Sequence, residues 1–381
     1  MCTVAIVSLL GSVSLRIHAQ GRSQADDTQS GASVPEDECR GNGCVVPLVD
    51  QPATKSAASA PSKPYNWKAS FAEYKVGKVP RTADGHPNLQ GIWSRTTLVP
   101  MERPRGQTKA EIDAESAAKL EDEAQQKQFD LRTEPTDTPP GEKTTDAYNT
   151  FWRDGYWFKV PMTSLRTSQV VDPPDGRLPP STPAARERAR ISAVLDNRRA
   201  TSYEDRPLSS RCVQRPGSPG PAFTGGGPGG QESTFQIIEG TDAVIIRGES
   251  LESQVIYLDG RPRPPQDVHL QVGSARGHWE GDTLIVEYTN FSNEEGAGKE
   301  HLTARYKRLD DTHLLFGFTR DDPGARTKPY SVEVVFWRLT DQEQLVEYAC
   351  HEGNVGLEFT LSAARAKDRE EAADAANENG K

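Results

Sequence analysis

The stretch HWEGDTLIVEYTNF, residues His278–Phe291, decides the fold of this 381-residue chain. Its Gly281-Asp282 pair is typical of a tight turn between two strands. After the turn, β-branched and aromatic residues dominate, and side chains alternate at the period of a β-strand. One side of this alternation has Leu284, Val286 and Tyr288, and the other has Ile285, Glu287 and Thr289. The stretch therefore predicts a turn that leads into a strand.

The same pattern recurs along the second half of the chain. Asp310–Thr312 repeats the turn, and His313–Thr319 repeats the strand. Short strands separated by turns, with no helical run between them, favour an antiparallel meander. We predict a mainly β fold, a lipocalin-like barrel or a sandwich, with two or three peripheral helices and long irregular segments. The further predicted strands are Phe235–Glu239, Ala243–Arg247, Gln254–Leu258, Tyr330–Arg338 and Gln344–Cys350.

The helices are predicted outside this sheet. A helix over Thr108–Phe129 has Glu111 in place to complete a capping box with its first residue. A second helix covers Thr182–Arg199, with a proline at its first turn. The Ala-, Glu- and Lys-rich tail after Leu361 predicts a further, solvated helix.

The composition limits the classes of partner. Only 34% of the residues are hydrophobic, and 28 Pro and 32 Gly are present, which indicates a core region together with long irregular segments. The 45 basic residues are outnumbered by 55 acidic ones, giving a net charge of −10. Because phosphate binding needs clustered Lys and Arg, the charge argues against a nucleic-acid partner.

The beginning of the chain predicts export. The apolar run Val4–Leu15 has the length of a signal-peptide core and is too short for a membrane span. We predict a signal peptide over residues 1–19 and a soluble secreted or periplasmic product without a lipid anchor. A buried N-terminal strand is the alternative. The Ser-, Ala- and Pro-rich residues 20–64 predict a disordered leader. Residues 65–365 predict a single β-rich domain with insertions at about 100–230, followed by a charged tail at 366–381.

A tryptophan motif marks the predicted start of the sheet. Gly91-Ile92-Trp93 has a Gly-x-Trp pattern at the entrance to a strand. This pattern resembles the opening strand of lipocalin-like (calycin) barrels, in which the Trp closes one end of the barrel. An ordinary buried Trp is the alternative.

The densest polar group lies after the last predicted strand, at Cys350–Asn354. There His351 is a candidate general base, with Glu352 orienting it or acting as an acid. Alternatively, such side chains hydrogen-bond turn backbones and pair with one another. The residues that we predict to face the same rim are Asp259, Arg261, Arg276 and Glu280. We expect His351 to be partly buried, with Arg276, Asp259 or Glu280 within hydrogen-bond reach.

Aromatic residues supply the candidate ligand contacts. Six aromatic residues fall within 148–158, where they form either a ligand wall or a core plug. The candidate ligand-binding residues are Trp152, Tyr156, Trp157 and Trp279. The remaining histidines are scattered, so the sequence predicts no metal site and no cofactor.

Four cysteines remain once Cys2 leaves with the signal peptide, and they allow three pairings. Cys39 and Cys44 are close enough in sequence to pair within the leader. Cys212 and Cys350 are then predicted to form a second disulfide bond. The alternatives are two separate buried thiols, or a reactive Cys350 beside His351.

Several short motifs occur together over roughly residues 80–367. As a set they resemble a family of exported bacterial proteins found in Acidobacteria and other environmental bacteria. The resemblance implies an exported product and specifies no chemistry. Members of that family often carry His at the positions of Leu251 and Arg263, and Arg at that of Gln254, so no mechanism that needs those side chains is implied here. The motifs are RTADGHPNLQGIW (Arg81–Trp93), AYNTFWRDG (Ala147–Gly155), VVDPPDGRLPP (Val170–Pro180), EDRPLSSRC (Glu204–Cys212), YLDGRP (Tyr257–Pro262), SARGHWEGDTLIVEYTNF (Ser274–Phe291), FTRDDP (Phe318–Pro323) and YACHEGNVGLE (Tyr348–Glu358).

Two functional classes follow. The first is a binding protein for a small, partly apolar ligand, because a barrel with aromatic insertions offers an apolar cavity. The second is an acid–base hydrolase, lyase or isomerase with a site around His351. Since no catalytic constellation is readable from the sequence, binding is the preferred hypothesis. The sequence does not specify the oligomeric state.

Overall fold

The computed structural model describes residues 65–133, 160–212, 234–249, 253–270, 272–291, 299–339, 345, 347, 351–352 and 355–379. The predicted signal peptide, the leader and the aromatic cluster at 148–158 lie outside these ranges. Of the predicted strand Gln344–Cys350, only residues 345 and 347 are described, and neither is in a strand.

The core is a closed β-barrel, which confirms the predicted β class and selects the barrel over the sandwich. Nine strands follow one another around it in the order β1-β3-β4-β5-β6-β7-β8-β9-β10, and β10 pairs back with β1. The short strand β2 also pairs with β10, outside this closed ring. The strands are β1 (Gly91–Ser94), β2 (Val170–Asp172), β3 (Thr234–Glu239), β4 (Ala243–Gly248), β5 (Ser253–Tyr257), β6 (Ser274–Glu280), β7 (Thr283–Thr289), β8 (His301–Arg308), β9 (His313–Asp321) and β10 (Tyr330–Arg338).

One junction of the barrel departs from the predicted meander. Strands β5 and β6 are parallel, and only Ile256 with Ala275 and Tyr257 with Arg276 are in register. All the other neighbouring strands of the ring are antiparallel. A parallel pair needs a crossover connection, and here it includes the described residues 258–270 and 272–273. Arg276 fixes the start of that connection, since it donates to the Arg261 carbonyl at 3.0 Å and to the Pro262 carbonyl at 2.6 Å.

Four α-helices lie in the described part of the chain: α1 (Trp67–Ala72), α2 (Ala114–Thr133), α3 (Pro183–Asn197) and α4 (Gly356–Asn379). Helix α3 begins as predicted, with Thr182 accepting a hydrogen bond from the Ala185 amide. Helix α2 begins later than the predicted Thr108, because Asp113 is its cap and accepts from the Ser116 amide at 2.8 Å. Helix α1 was not predicted. None of the described helices combines the length and apolar character that a membrane span requires.

Side chains fill the barrel interior along the described strands. Phe316 lies at its centre, with ring centroids 4.8 Å from Tyr306 and 5.3 Å from Phe336. The other large interior side chains are Phe235, Tyr288 and Phe318, each with at most 1% of its surface exposed.

Trp93 is fully buried near the end of the barrel that contains the turn between β8 and β9. Its indole Nε1 donates to the Leu89 carbonyl at 3.0 Å. The Arg308 guanidinium lies 5.2 Å from the Trp93 ring centroid and donates to the carbonyls of Asp310 and Asp311, each at 2.8 Å, and to that of Asn88. Trp93 and Arg308 therefore close this end together.

Candidate functional site

Helix α1 covers the outer face of the barrel. Its Asn66 cap accepts a hydrogen bond from the Ala69 amide at 3.3 Å. Phe71 packs over Gly317, where an added Cβ would lie 3.0 Å from two atoms of the Phe71 ring. A larger residue here would require the Phe71 ring to shift, so Gly317 favours the close packing of α1 on β9. The Phe71 ring also belongs to a buried cluster with Leu309, Leu315 and Val335.

A single buried carboxylate holds both flanks of α1. The side chain of Glu333 on β10 is 0% exposed. Tyr65, before the helix, donates to its Oε1 at 2.5 Å, and Tyr74, after the helix, donates to its Oε2 at 3.1 Å. Arg166 completes this cluster with an ion pair to Oε2 at 3.4 Å. We call Tyr65, Tyr74, Arg166 and Glu333 the Glu333 cluster.

In the Glu333 cluster, burial and neighbouring charges shift the pKa values of the two tyrosines and of Arg166. Burial raises the pKa of both Tyr65 and Tyr74, and the charge of Glu333 raises each of them further. Both hydroxyls therefore remain protonated donors at neutral pH. Burial alone would lower the pKa of Arg166, but Tyr74 and Glu333 outweigh it, so the pKa of Arg166 is raised.

A shallow pocket of about 370 Å³ opens between α1 and the turn that joins β6 to β7. Its wall combines two aromatic rings, two ammonium groups, one carboxylate and one hydroxyl. We call it the α1 pocket, and it is lined by Trp67, Lys68, Phe71, Ala72, Glu280, Gly281, Thr283 and Lys307.

The carboxylates at the α1 pocket are paired. Glu280 lies 2.9 Å from Lys68 and 3.3 Å from the Nε2 of His278. Hydrogen bonds from Lys68 and His278 hold the pKa of Glu280 below its usual value. Next to it, Asp282 is bound through both oxygens by Arg81, at 2.9 and 2.8 Å. Neither carboxylate therefore needs a charge from a ligand.

Two cations beside the α1 pocket contact only neutral acceptors. The Lys307 ammonium donates to the Phe71 carbonyl at 3.1 Å. Arg305 is 8% exposed, lies 5.4 Å from the Trp67 ring centroid, and donates to the Thr303 carbonyl and the Thr319 hydroxyl. Its Nε is buried without a hydrogen-bond partner, and burial lowers the pKa of Arg305. Among the described contacts, neither cation forms an ion pair, and the carboxylates of Glu333, Glu280 and Asp282 act on them only through their charges at longer range.

The predicted rim site is only partly assembled. His351 and Glu352 are both exposed, so the prediction of a partly buried His351 is wrong. Asp259 instead accepts from the backbone and the guanidinium of Arg261, and Arg276 donates to Ser274 and to backbone carbonyls. Among the described contacts, none joins these residues to His351. Their geometry matches the alternative, in which turn residues bond backbone and one another, and a catalytic role for the four candidates stays a prediction.

The predicted ligand-binding residues are not brought to the α1 pocket. Trp152, Tyr156 and Trp157 lie outside the described residues. Trp279 is half-buried and stacks on His86, with ring centroids 4.6 Å apart and planes 6° apart. It packs against the core and does not line the pocket.

Sequence reasoning missed the residues that build the α1 pocket. One signal was present: Glu333 interrupts the apolar strand SVEVVFW, and a charge inside a buried strand requires partners. The partners themselves were not readable, because Tyr65 and Tyr74 lie 268 and 259 residues away in the chain.

Comparison with family models, with curated proteins and with solved structures gives no match to this chain. In the part of the chain that the structure describes, no group of three or more His, Cys, Asp or Glu side chains is placed to hold a metal ion.

Proposed function

We propose that this protein binds a small, partly apolar molecule in the α1 pocket. The observation that carries the proposal is a pocket of about 370 Å³ whose aromatic wall stands beside a few charged groups. Small-molecule sites have volumes of about 300–1,000 Å³ and combine apolar walls with a small number of polar groups. Side chains occupy the barrel interior along the described strands, so the ligand is expected outside the barrel, unlike in a lipocalin-like arrangement.

The acid–base alternative has less support. A general base must come within hydrogen-bond reach of an orienting group and of its substrate. The exposed His351 has no such partner among the described residues, and Asp259 is engaged by Arg261. Binding is therefore the function that the geometry supports best.

Filling the pocket tests this proposal. Ala72→Phe places a ring in the α1 pocket, whereas Ala69→Phe places the same ring on an exposed position of α1 that does not line it. We expect a panel of small aromatic acids, amides and amines, screened by ligand-observed NMR on the full chain, to contain binders. Their dissociation constants should rise at least about tenfold in Ala72→Phe, a loss of about 1.4 kcal/mol, and stay unchanged in Ala69→Phe.

Two results would contradict the proposal. One is a panel without any binder. The other is binding that Ala72→Phe and Ala69→Phe affect equally, which would place the ligand elsewhere.

We also propose that the chain is exported and that Cys212 pairs with Cys350 and Cys39 with Cys44. The apolar run Val4–Leu15 supports export. The short spacing of Cys39 and Cys44, which leaves Cys212 and Cys350 for each other, supports the two pairings. Closing a loop of this length would stabilise the fold by roughly 4–5 kcal/mol in the chain-entropy model.

Thiol counting tests the pairing. Denatured, unreduced mature protein should contain no free thiol, and the chain isolated from the periplasm or medium should begin after Cys2. Two free thiols mapped to Cys212 and Cys350 would refute the disulfide bond between them.

A further inference from the structure

The α1 pocket has a definite charge preference. Every carboxylate close to it has its own cation: Glu280 is paired with Lys68, Asp282 with Arg81, and Glu333 with Arg166. Within the described part of the chain, the hydrogen bonds of Lys307 and Arg305 go to neutral acceptors. A ligand entering this pocket therefore meets two positive charges that form no ion pair with a described carboxylate, although Glu333 and Glu280 act on Arg305, and Asp282 on Lys307, through their charges at longer range.

We infer that the α1 pocket selects a small monocarboxylate with an apolar or aromatic body, whose carboxylate is bound by Lys307. This inference rests on the proposed function, because it names the chemical class of the same ligand. Lys307 lines the pocket and spends one donor on the Phe71 carbonyl, so two of the three ammonium hydrogens remain for the ligand. Arg305 is too buried to touch the ligand and contributes through its charge.

The apolar part of the ligand is set by the aromatic wall of the α1 pocket. Trp67 and Phe71 meet edge to face, with ring centroids 5.6 Å apart and planes 82° apart, and Ala72 adds a methyl group. Such a corner accepts one planar or branched apolar group. An amine would place a third cation next to Lys307 and Arg305, which the field of the site disfavours.

Three probes with one ring system separate charge from shape. Indole-3-acetate, indole-3-acetamide and tryptamine share an indole and carry a negative, a neutral and a positive side chain. We expect the acetate to bind the full chain about tenfold more tightly than the acetamide, with tryptamine the weakest. The acetate's advantage should shrink as salt is raised, because the pocket is shallow and its charges are screened.

Variants of Lys307 test whether this side chain causes the preference for a carboxylate. Lys307→Met keeps the length of the side chain and removes its charge, so the acetate should lose its advantage over the acetamide. Lys307→Arg keeps the charge, so the acetate should keep its advantage over the acetamide. This variant distinguishes the loss of the charge from a structural effect of changing residue 307. Lys119→Met removes an exposed lysine of α2 that does not line the pocket, and should change nothing.

The possible failures are distinguishable. If the acetate and the acetamide bind wild type with equal affinity, and Ala72→Phe weakens the binding of both, the carboxylate inference is wrong but the α1 pocket remains the binding site. If the acetate's advantage survives in Lys307→Met, Lys307 is not its receptor, and the inference is equally wrong. If no probe binds, or if Ala72→Phe has no effect, the proposed function itself fails.

Discussion

Glu333→Ala is expected to lower the free energy of unfolding by about 3 kcal/mol, near the lower end for breaking a buried ion pair from one side. The substitution leaves Arg166 with only the exposed Glu73 as an ion-pair partner, at 3.5 Å, and removes the acceptor of both Tyr65 and Tyr74. Arg166 keeps 20% of its side chain in solvent, which limits the cost. Urea denaturation of the variant and of wild type gives the difference.

The same variant should loosen α1 before the barrel unfolds. Both flanks of the helix lose their bond to Glu333, and Phe71 is left as the main anchor. Hydrogen exchange should therefore accelerate at the Gly77 amide, which donates to the Leu309 carbonyl at 2.8 Å, and far less in β7. Ligand affinity should fall with it, because α1 forms one wall of the α1 pocket.

Glu287→Ala is the matched control for Glu333→Ala. Glu287 also points outward from the barrel and pairs with Arg263 at 2.8 Å, but its side chain is 47% exposed. Exposed ion pairs contribute about 0–1 kcal/mol, so this variant should retain nearly full stability. Equal losses in the two variants would mean that burial of Glu333 is unimportant and that the Glu333 cluster does not hold α1.

The local part of the fold was predictable because it depends on neighbouring residues. Alternation over Thr283–Thr289 and the Gly281-Asp282 turn specify β7 and the turn before it without reference to the rest of the chain. The cap at Thr182 is equally local. In contrast, helix α1 spans six residues with one buried side chain, Phe71, so periodicity has too few positions to reveal it.

The candidate site was not predictable for a different reason. It depends on which strands meet when the barrel closes, and Trp93 pairs with Arg338 across most of the chain. Strand direction was also hidden, since nothing in Gln254–Leu258 distinguishes a parallel from an antiparallel partner. The rim hypothesis assumed that ends of strands gather polar groups, whereas the α1 pocket arises where a peripheral helix packs against outward-facing residues such as Lys307.

Trp93→Ala is expected to lower the free energy of unfolding by about 3–5 kcal/mol, the usual range for removing a large buried aromatic side chain. The indole is fully buried, and its loss leaves a cavity beneath Arg308 at the closed end of the barrel. Trp93→Phe keeps an apolar ring and removes the hydrogen bond to the Leu89 carbonyl, so the cost should fall to about 1–2 kcal/mol. Urea denaturation again provides the measurement.

Trp279→Ala is the matched control for Trp93→Ala, since Trp279 is half-buried and stacks on His86. Trp279→Ala should lower the free energy of unfolding by less than half as much as Trp93→Ala, because folding buries less apolar surface of Trp279.

A double-mutant cycle of Trp93→Ala with Arg308→Met should show a coupling free energy of about 0.5–2 kcal/mol, as expected for a guanidinium over an indole ring. Additive losses would show that Trp93 and Arg308 act separately, and a Trp279→Ala loss equal to that of Trp93→Ala would remove Trp93 as the residue that closes this end.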